Sequence, residues 1–248
     1  YKHVPLVEEN PLQGLRNNAL GTQTLIEKCI EAEVNSFVLI STDKAVRPTN
    51  VMGASKRIAE MIVQDAARRF PESKIGIVRF GNVLDSSGSV VPLFREQIKR
   101  RLPITVTHPE ITRYFMSIGE AARLVIQAGA MSKNGEVFLL DMGNPVKIRD
   151  LALQMIELSG LVPEKDIPIQ YTGLRPGEKL YEELLIDPAQ AQPTLHPRIY
   201  SSEEPLPESE ILQKEIKLLS EAISKRDLNS ALESMKRLVP EYNSKNGQ

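Results

Sequence analysis

Asp43 and Lys44 have the chemistry of a proton-transfer site: a carboxyl and an amine in adjacent positions, directly after Ser41 and Thr42. One can serve as acid while the other serves as base. Lys56 adds a second amine, and Met52, four residues earlier, lies on the same face if the segment is helical. Gly81-Asn82 offers a carboxamide. Arg175-Pro-Gly-Glu-Lys179 offers a guanidinium fork suited to phosphate oxygens, presented by a Pro-Gly turn. Arg113, in Glu110-Ile-Thr-Arg-Tyr-Phe-Met116, taken alone reads as easily as a surface salt bridge. Lys99-Arg100-Arg101 reads as a solvated helix end, where positive charge suits the dipole.

These groups need elements that bring them together. Phe37 to Ile40 is an uninterrupted apolar run, which predicts a strand buried on both faces of a parallel sheet. Asp43 and Lys44 then stand at its carboxyl end, where open α/β sheets collect ligands. Pro48 and Asn50 break the chain, and an amphipathic helix is predicted over 51 to 70. Lys74 to Phe80 is a second buried strand, completing a βαβ unit and putting Asn82 level with Asp43. A Gly-Asn pair also forms turns by itself, but the strand-end position favours function.

Upstream, residues 11 to 33 read as one helix, with Asn10-Pro11 as its start. Downstream, a loop at Asp85 to Ser89 leads into a helix at Val91 to Arg101. Short strands follow at Ile104 to Thr107 and Arg113 to Ser117, then a helix from Ile118 to Met131. A strand from Glu136 to Asp141, a helix from Ile148 to Leu158 and a strand near Ile167 to Thr172 come next. The tail from Pro205 carries two helical patterns, the second capped by Asp227, and predicts a helical hairpin on this core or on a second subunit. The expected division is 1–84 as the second half of a dinucleotide-binding domain, 85–204 as a substrate domain interleaved with the last sheet strands, and 205–248 as the hairpin. The fold class is α/β, the C-terminal part of a Rossmann-like doubly wound parallel sheet.

Composition narrows the function. A net charge of −1 over 248 residues gives no basic field for nucleic acid. The single cysteine, Cys29, excludes an internal disulfide, fits a reducing compartment and sits in a helical pattern as a packing residue. His3, His108 and His196 are far apart, without metal-ligand spacing. No run approaches the roughly 20 apolar residues of a membrane span, and no signal peptide is visible. No glycine-rich phosphate turn is present either. The chain therefore reads as the downstream part of a longer protein, without turnover by itself because half the cofactor site is missing.

The blocks Ser41-Thr-Asp-Lys-Ala45 and Asn50-Val-Met-Gly-Ala-Ser-Lys56, with their spacing, resemble the active-site segment of extended short-chain dehydrogenases. They are most similar to the polysaccharide-biosynthesis type of UDP-N-acetylglucosamine 4,6-dehydratase. Phe80-Gly-Asn-Val83, Asn17-Asn-Ala-Leu-Gly-Thr22 and Arg175-Pro-Gly-Glu-Lys179 fit the same family. Two positions depart from it. Met52 stands where the superfamily has tyrosine, a change carried by some members of the membrane-associated branch. Asp85 stands where relatives often have glycine.

The resemblance implies NAD or NADP as cofactor, with contacts at Asn18, Ser41, Lys56, Phe80 and Gly81. It implies a UDP-sugar such as UDP-N-acetylglucosamine as substrate, held by Asn82, Arg113, Arg175 and Glu178. Thr42, Asp43, Lys44, Met52 and Lys56 form the catalytic group, with no metal. It also implies a homo-oligomer at the cytoplasmic face, with membrane contact only through a preceding region and the full-length protein in the inner membrane. In this chemistry the sugar is oxidised at C4, which makes the C5 proton acidic; water then leaves across C5 and C6, and hydride returns to C6. Lys44 is the expected C5 base and Asp43 the acid for the C6 hydroxyl. Burial and the nearby Lys56 are expected to lower the Lys44 pKa. A thioether transfers no proton, so a Thr42–Lys56 relay is expected to serve the 4-oxygen, with Met52 as an apolar wall. The rival readings are a C4 epimerase, which has no need of the Asp-Lys pair, and a silent nucleotide-sugar-binding module, to which Met52 points.

Overall fold

The computed structural model describes residues 1–183 and 191–244. It begins with α1 (Val4–Glu9) and α2 (Pro11–Leu15), the latter continuing through a π turn, Arg16–Leu20, into α3 (Gly21–Glu31). The predicted helix thus runs from Pro11 to Glu31 with a π turn inside it, and Asn10 does not cap it by its side chain. The Asn10 Nδ2 donates back to the Leu6 carbonyl, while its own backbone oxygen accepts from Gln13 and Gly14.

Next come β1 (Ser36–Thr42), α4 (Val51–Arg69) and β2 (Lys74–Phe80), with β1 and β2 parallel and Thr42 opposite Phe80. That register sets Asp43 and Gly81 side by side. Then follow β3 (Asn82–Val83), α5 (Val90–Lys99), β4 (Ile104–Val106), β5 (Thr112–Arg113), β6 (Phe115–Met116), α6 (Ile118–Met131) and β7 (Asn134–Leu140). The chain continues with β8 (Val146–Lys147), α7 (Ile148–Leu158), β9 (Ile169–Tyr171), β10 (Gln192–Pro193), β11 (Ile199–Ser202), α8 (Ser209–Ser224) and α9 (Leu228–Leu238). The main sheet runs β1-β2-β7-β11-β10, parallel across its first three strands and antiparallel at β11 and β10.

β1 departs from its predicted environment. Among the described residues it pairs only with β2, and Ile40 is 51% exposed while Leu39, on the opposite face, is buried. The apolar run is therefore not covered on both faces within this chain. α4 departs in the opposite sense. Its predicted polar face is buried along with its apolar one, taking in Arg57, Glu60, Gln64 and Asp65. The reason is that α8 and α9 pack on this chain's own core. Leu212, Ile216, Leu219 and Met235 join Leu15, Ile58 and Ile62 in one cluster, and burying each such side chain contributes about 1.5–3 kcal/mol.

The buried charges on α4 are paired. Arg79, from β2, places Nε and Nη2 at 2.7 and 2.6 Å from the two Glu60 oxygens, and its Nη1 lies 2.7 Å from Glu204. Arg57 adds a bond of 3.2 Å to Glu60 and another to the Pro205 carbonyl. Asp65 accepts from Ser209 and Gln213, fixing the start of α8. Asp227 caps α9 through the Ser230 N–H, as predicted. Asp85 has φ of 63°, the left-handed backbone that glycine adopts freely. A second cluster (Phe94, Ile104, Ile148, Ile156) underlies β4, β9, α5 and α7 beside the sheet.

Candidate active site

The end of β1 turns straight into a 3-10 turn, Asp43–Ala45, with the Thr42 hydroxyl accepting from the Lys44 N–H. α4 then starts at Val51, its N–H groups capped by the Asn50 side chain, which accepts from Gly53. Gly53 lets the helix press onto the turn. A Cβ there would stand 2.1 Å from the Lys44 carbonyl oxygen, so only glycine permits this approach. The first turn of α4 is thereby fixed against the backbone of the Asp-Lys pair.

The side chains form a short network. Thr42 Oγ1 donates to Asp43 Oδ1 at 2.7 Å, and Lys44 Nζ donates to the same oxygen at 3.0 Å. Lys44 Nζ also reaches Asn82 Oδ1 at 3.5 Å, which β3 pairing with β6 holds in place. Asp43 is 0% exposed, and its Oδ2, turned toward Gly81, has no partner among the described residues.

A pocket of about 570 Å³ opens over this network. Thr42, Lys44, Met52 and Lys56 line it, as do Asn18, Ser41, Phe80 and Gly81 from the expected cofactor set. Asn82, Arg113, Arg175 and Glu178 complete its wall. Asp43 is the exception. It sits behind the wall because it opens the 3-10 turn under Gly81, and it meets the pocket only through Thr42 and Lys44.

Several expectations change in detail. Lys44 is shifted up, not down. Burial pushes its amine down, but Asp43 and Glu182 outweigh that and hold it above the ordinary lysine value. Lys56 is the amine that burial lowers, with Glu60 opposing the shift. The Thr42–Lys56 relay is not a direct bond among the described residues, since Lys56 Nζ donates to the Ile40 carbonyl at 2.6 Å. Met52, 3% exposed, is the expected apolar wall. Arg113 is not a surface salt bridge: it is buried and faces Glu178 at 3.3 Å and Glu182 at 3.6 Å. Gly21 is exposed, and a Cβ there would meet only the Arg16 carbonyl oxygen, at an ordinary 3.7 Å. Asn18 lies on the π turn and ties it to α4 through Ser55 Oγ at 2.9 Å.

The Arg175-Pro-Gly-Glu178 turn forms as expected, with Gly177 at φ of 73° and Glu178 N–H donating to the Arg175 carbonyl. Thr49 and Asn50 donate to the Gly177 carbonyl, docking this turn beside the Asp-Lys pair. The Arg175 guanidinium is exposed at the pocket and makes no ion pair among the described residues, so it can receive an anion. Glu182 and Gly53 are the positions beside the Asp-Lys pair that the sequence does not single out. Glu182 approaches Lys44 across 138 residues of chain, and no local pattern announces such a contact. No cluster able to hold a metal occurs among the described residues.

The chain is 61% identical over 185 residues to the capsular polysaccharide biosynthesis protein CapD of Staphylococcus aureus, covering 75% of this chain and 31% of that protein. It is 36% identical over 186 residues to UDP-glucose 4-epimerase of Rickettsia canadensis, covering 74% and 53%. The solved structure of Pen from Bacillus thuringiensis superposes with a TM-score of 0.76 at 38% identity, covering 84% of this chain and 66% of that one. The chain thus spans about a third to a half of the length of these curated relatives. The family model for polysaccharide biosynthesis proteins matches residues 1–204, the stretch that carries the sheet and all the pocket residues above, and the chain belongs to that family.

Proposed function

We propose that the protein carrying this chain is a nucleotide-sugar 4,6-dehydratase that converts UDP-N-acetylglucosamine to a UDP-4-keto-6-deoxy-N-acetylhexosamine for surface polysaccharide. The observation that carries the reading is the Asp43–Lys44 pair, bridged at 3.0 Å, with the lysine and Thr42 on the pocket wall. As an ammonium–carboxylate pair it is one proton transfer away from an amine and a carboxylic acid. Those are the two forms the elimination needs: Lys44 Nζ takes the C5 proton of a 4-keto sugar, and the departing C6 hydroxyl takes a proton to leave as water. Asp43 delivers that proton through the Thr42 hydroxyl, the group it bonds at 2.7 Å. Lys56, the amine lowered by burial, is the base for the 4-hydroxyl.

The pocket fits a nicotinamide nucleotide, NAD or NADP, at its reactive end. Met52 and Phe80 give apolar wall, and Asn18, Ser41, Lys56 and Gly81 supply polar edges beside it. Such a cofactor supplies a hydride acceptor and donor. Arg175 receives the diphosphate, and Asn82 and Arg113 face the sugar. Residues 1–84 are the cofactor half and 85–204 the substrate half in this proposal. The full-length protein is a homo-oligomer at the cytoplasmic face of the inner membrane. No helix among the described residues is long and apolar enough to cross a membrane.

The epimerase reading draws support from the likeness to the Rickettsia enzyme. Incubating the full-length protein with UDP-N-acetylglucosamine and either cofactor separates the possibilities. A 4-keto-6-deoxy product supports the proposal. A 4-epimer, or binding without turnover, refutes it.

A further inference from the structure

Glu182 approaches Lys44 without lining the large pocket itself, although Arg113, Arg175 and Glu178 around it do. Its Oε1 stands 3.4 Å from Lys44 Nζ and 3.6 Å from Arg113 Nε, with the side chain 3% exposed. Its Oε2 is buried and has no hydrogen-bond partner among the described residues. A second cavity, about 120 Å³, lies here and is lined by Glu182, Lys44, Arg113, Arg175 and Lys179. Lys44 belongs to the walls of both cavities, whereas Glu182 lines only the smaller one. The small cavity has room for several waters, but not for a nucleotide sugar.

We propose that Glu182 is a positioning residue for Lys44, holding the Lys44 ammonium from behind while Asp43 holds it from its own turn. This rests on the dehydratase reading for its consequence in catalysis, though not for its geometry. Two carboxylates around one amine favour the charged form, and a proton acceptor has to be uncharged when it acts. Glu182 therefore keeps Lys44 anchored and protonated at rest, and it sets how much of the amine is free at a given pH. The groups facing Lys44 are Asp43 and Glu182, which favour its charge, and Arg113, which opposes it. Lys179 faces Glu183 and then the same Glu182 and Asp43, while Lys56 is shifted by burial and Glu60 and by neither Asp43 nor Glu182. Lys56 is therefore the internal reference.

The test uses full-length protein carrying Glu182→Gln, with Glu182→Asp as the conservative variant. Competitive acetylation by acetic anhydride near pH 8, read by mass spectrometry, follows the free-amine fraction of each lysine. Lys44 in Glu182→Gln is expected to react at least about threefold faster than in the parent, with Lys56 unchanged and Glu182→Asp close to the parent. With a UDP-sugar turning over, the acid limb of the kcat profile moves to lower pH in Glu182→Gln while KM stays within about twofold. A merely structural role would change Lys56 reactivity or thermal stability and leave the limb in place. Unchanged Lys44 acetylation in Glu182→Gln overturns the proposal, whatever the turnover. Absence of turnover in the parent protein refutes the dehydratase reading alone, and acetylation then decides the role of Glu182.

Discussion

Replacing Glu60 by Gln tests whether the buried ion network holds this fold. Both Glu60 and Arg79 are 0% exposed. Glu60 accepts three charge-assisted bonds, two from Arg79 and one from Arg57. A glutamine keeps the shape but turns an NH2 group toward guanidinium donors. Breaking a buried pair from one side costs about 3–5 kcal/mol. Arg79 keeps Glu204 at 2.7 Å, and Arg57 keeps Glu241 at 3.4 Å, which places the loss at the lower end. For a chain of this size about 3 kcal/mol lowers Tm by roughly 6–12 °C, readable by calorimetry at pH 7. Burial pushes the Glu60 carboxyl up, but Arg79 and Arg57 outweigh it and hold it below its ordinary value of 4.5. A depressed carboxyl contributes stability above the unfolded value and loses it as pH falls through the folded one. The Tm gap between parent and Glu60→Gln is therefore full at neutral pH and closes in acid. A gap under about 2 °C at pH 7, less than 1 kcal/mol by the same scaling, or one that widens in acid, refutes the reasoning.

Lys44→Met in the full-length protein is expected to cut dehydration by about 10²–10⁴-fold, the usual worth of a general base, with UDP-sugar affinity retained by calorimetric titration. Lysine-labelled NMR is expected to show Lys56 titrating below 10.5 and Lys44 above it; the reverse order would contradict the charge arrangement around them. By linkage, Lys44 stabilises the fold below 10.5 and loses that contribution as pH rises through its folded value, whereas the burden of charging Lys56 is relieved as pH rises. Gly53→Ala drives a Cβ into the Lys44 carbonyl and is expected to cost about 1–3 kcal/mol in urea unfolding, with a parallel fall in kcat; retention of both would mean the turn yields freely.

Much of this arrangement is legible in local pattern. The apolar run Lys74 to Phe80 is a buried strand, and the periodicity of Ile118–Met131 and Ile148–Leu158 marks those helices to the residue. The pocket collects every expected site residue except Asp43, because strand ends and helix starts are encoded by short-range chemistry. What escapes is set by partners far along the chain. Arg57, Glu60 and Asp65 look like a solvent-facing stripe until α8 and Glu204 arrive to bury them. The Lys44 pKa lies above its ordinary value because Asp43 beside it, and then Glu182, outweigh burial; the Glu182 contact, remote in sequence, has no local signal, and Lys56 faces Ile40 instead. Ile40 is exposed because it lines the pocket at the strand end, and hydropathy alone does not distinguish a pocket wall from an interior position.

The hairpin of α8 and α9 lies beyond the residues matched by the family model, yet it clasps the same helix whose first turns carry Met52 and Lys56. Displacing this clasp would bare the outer side of α4, and the wall that carries Met52 and Lys56 would lose the packing behind it.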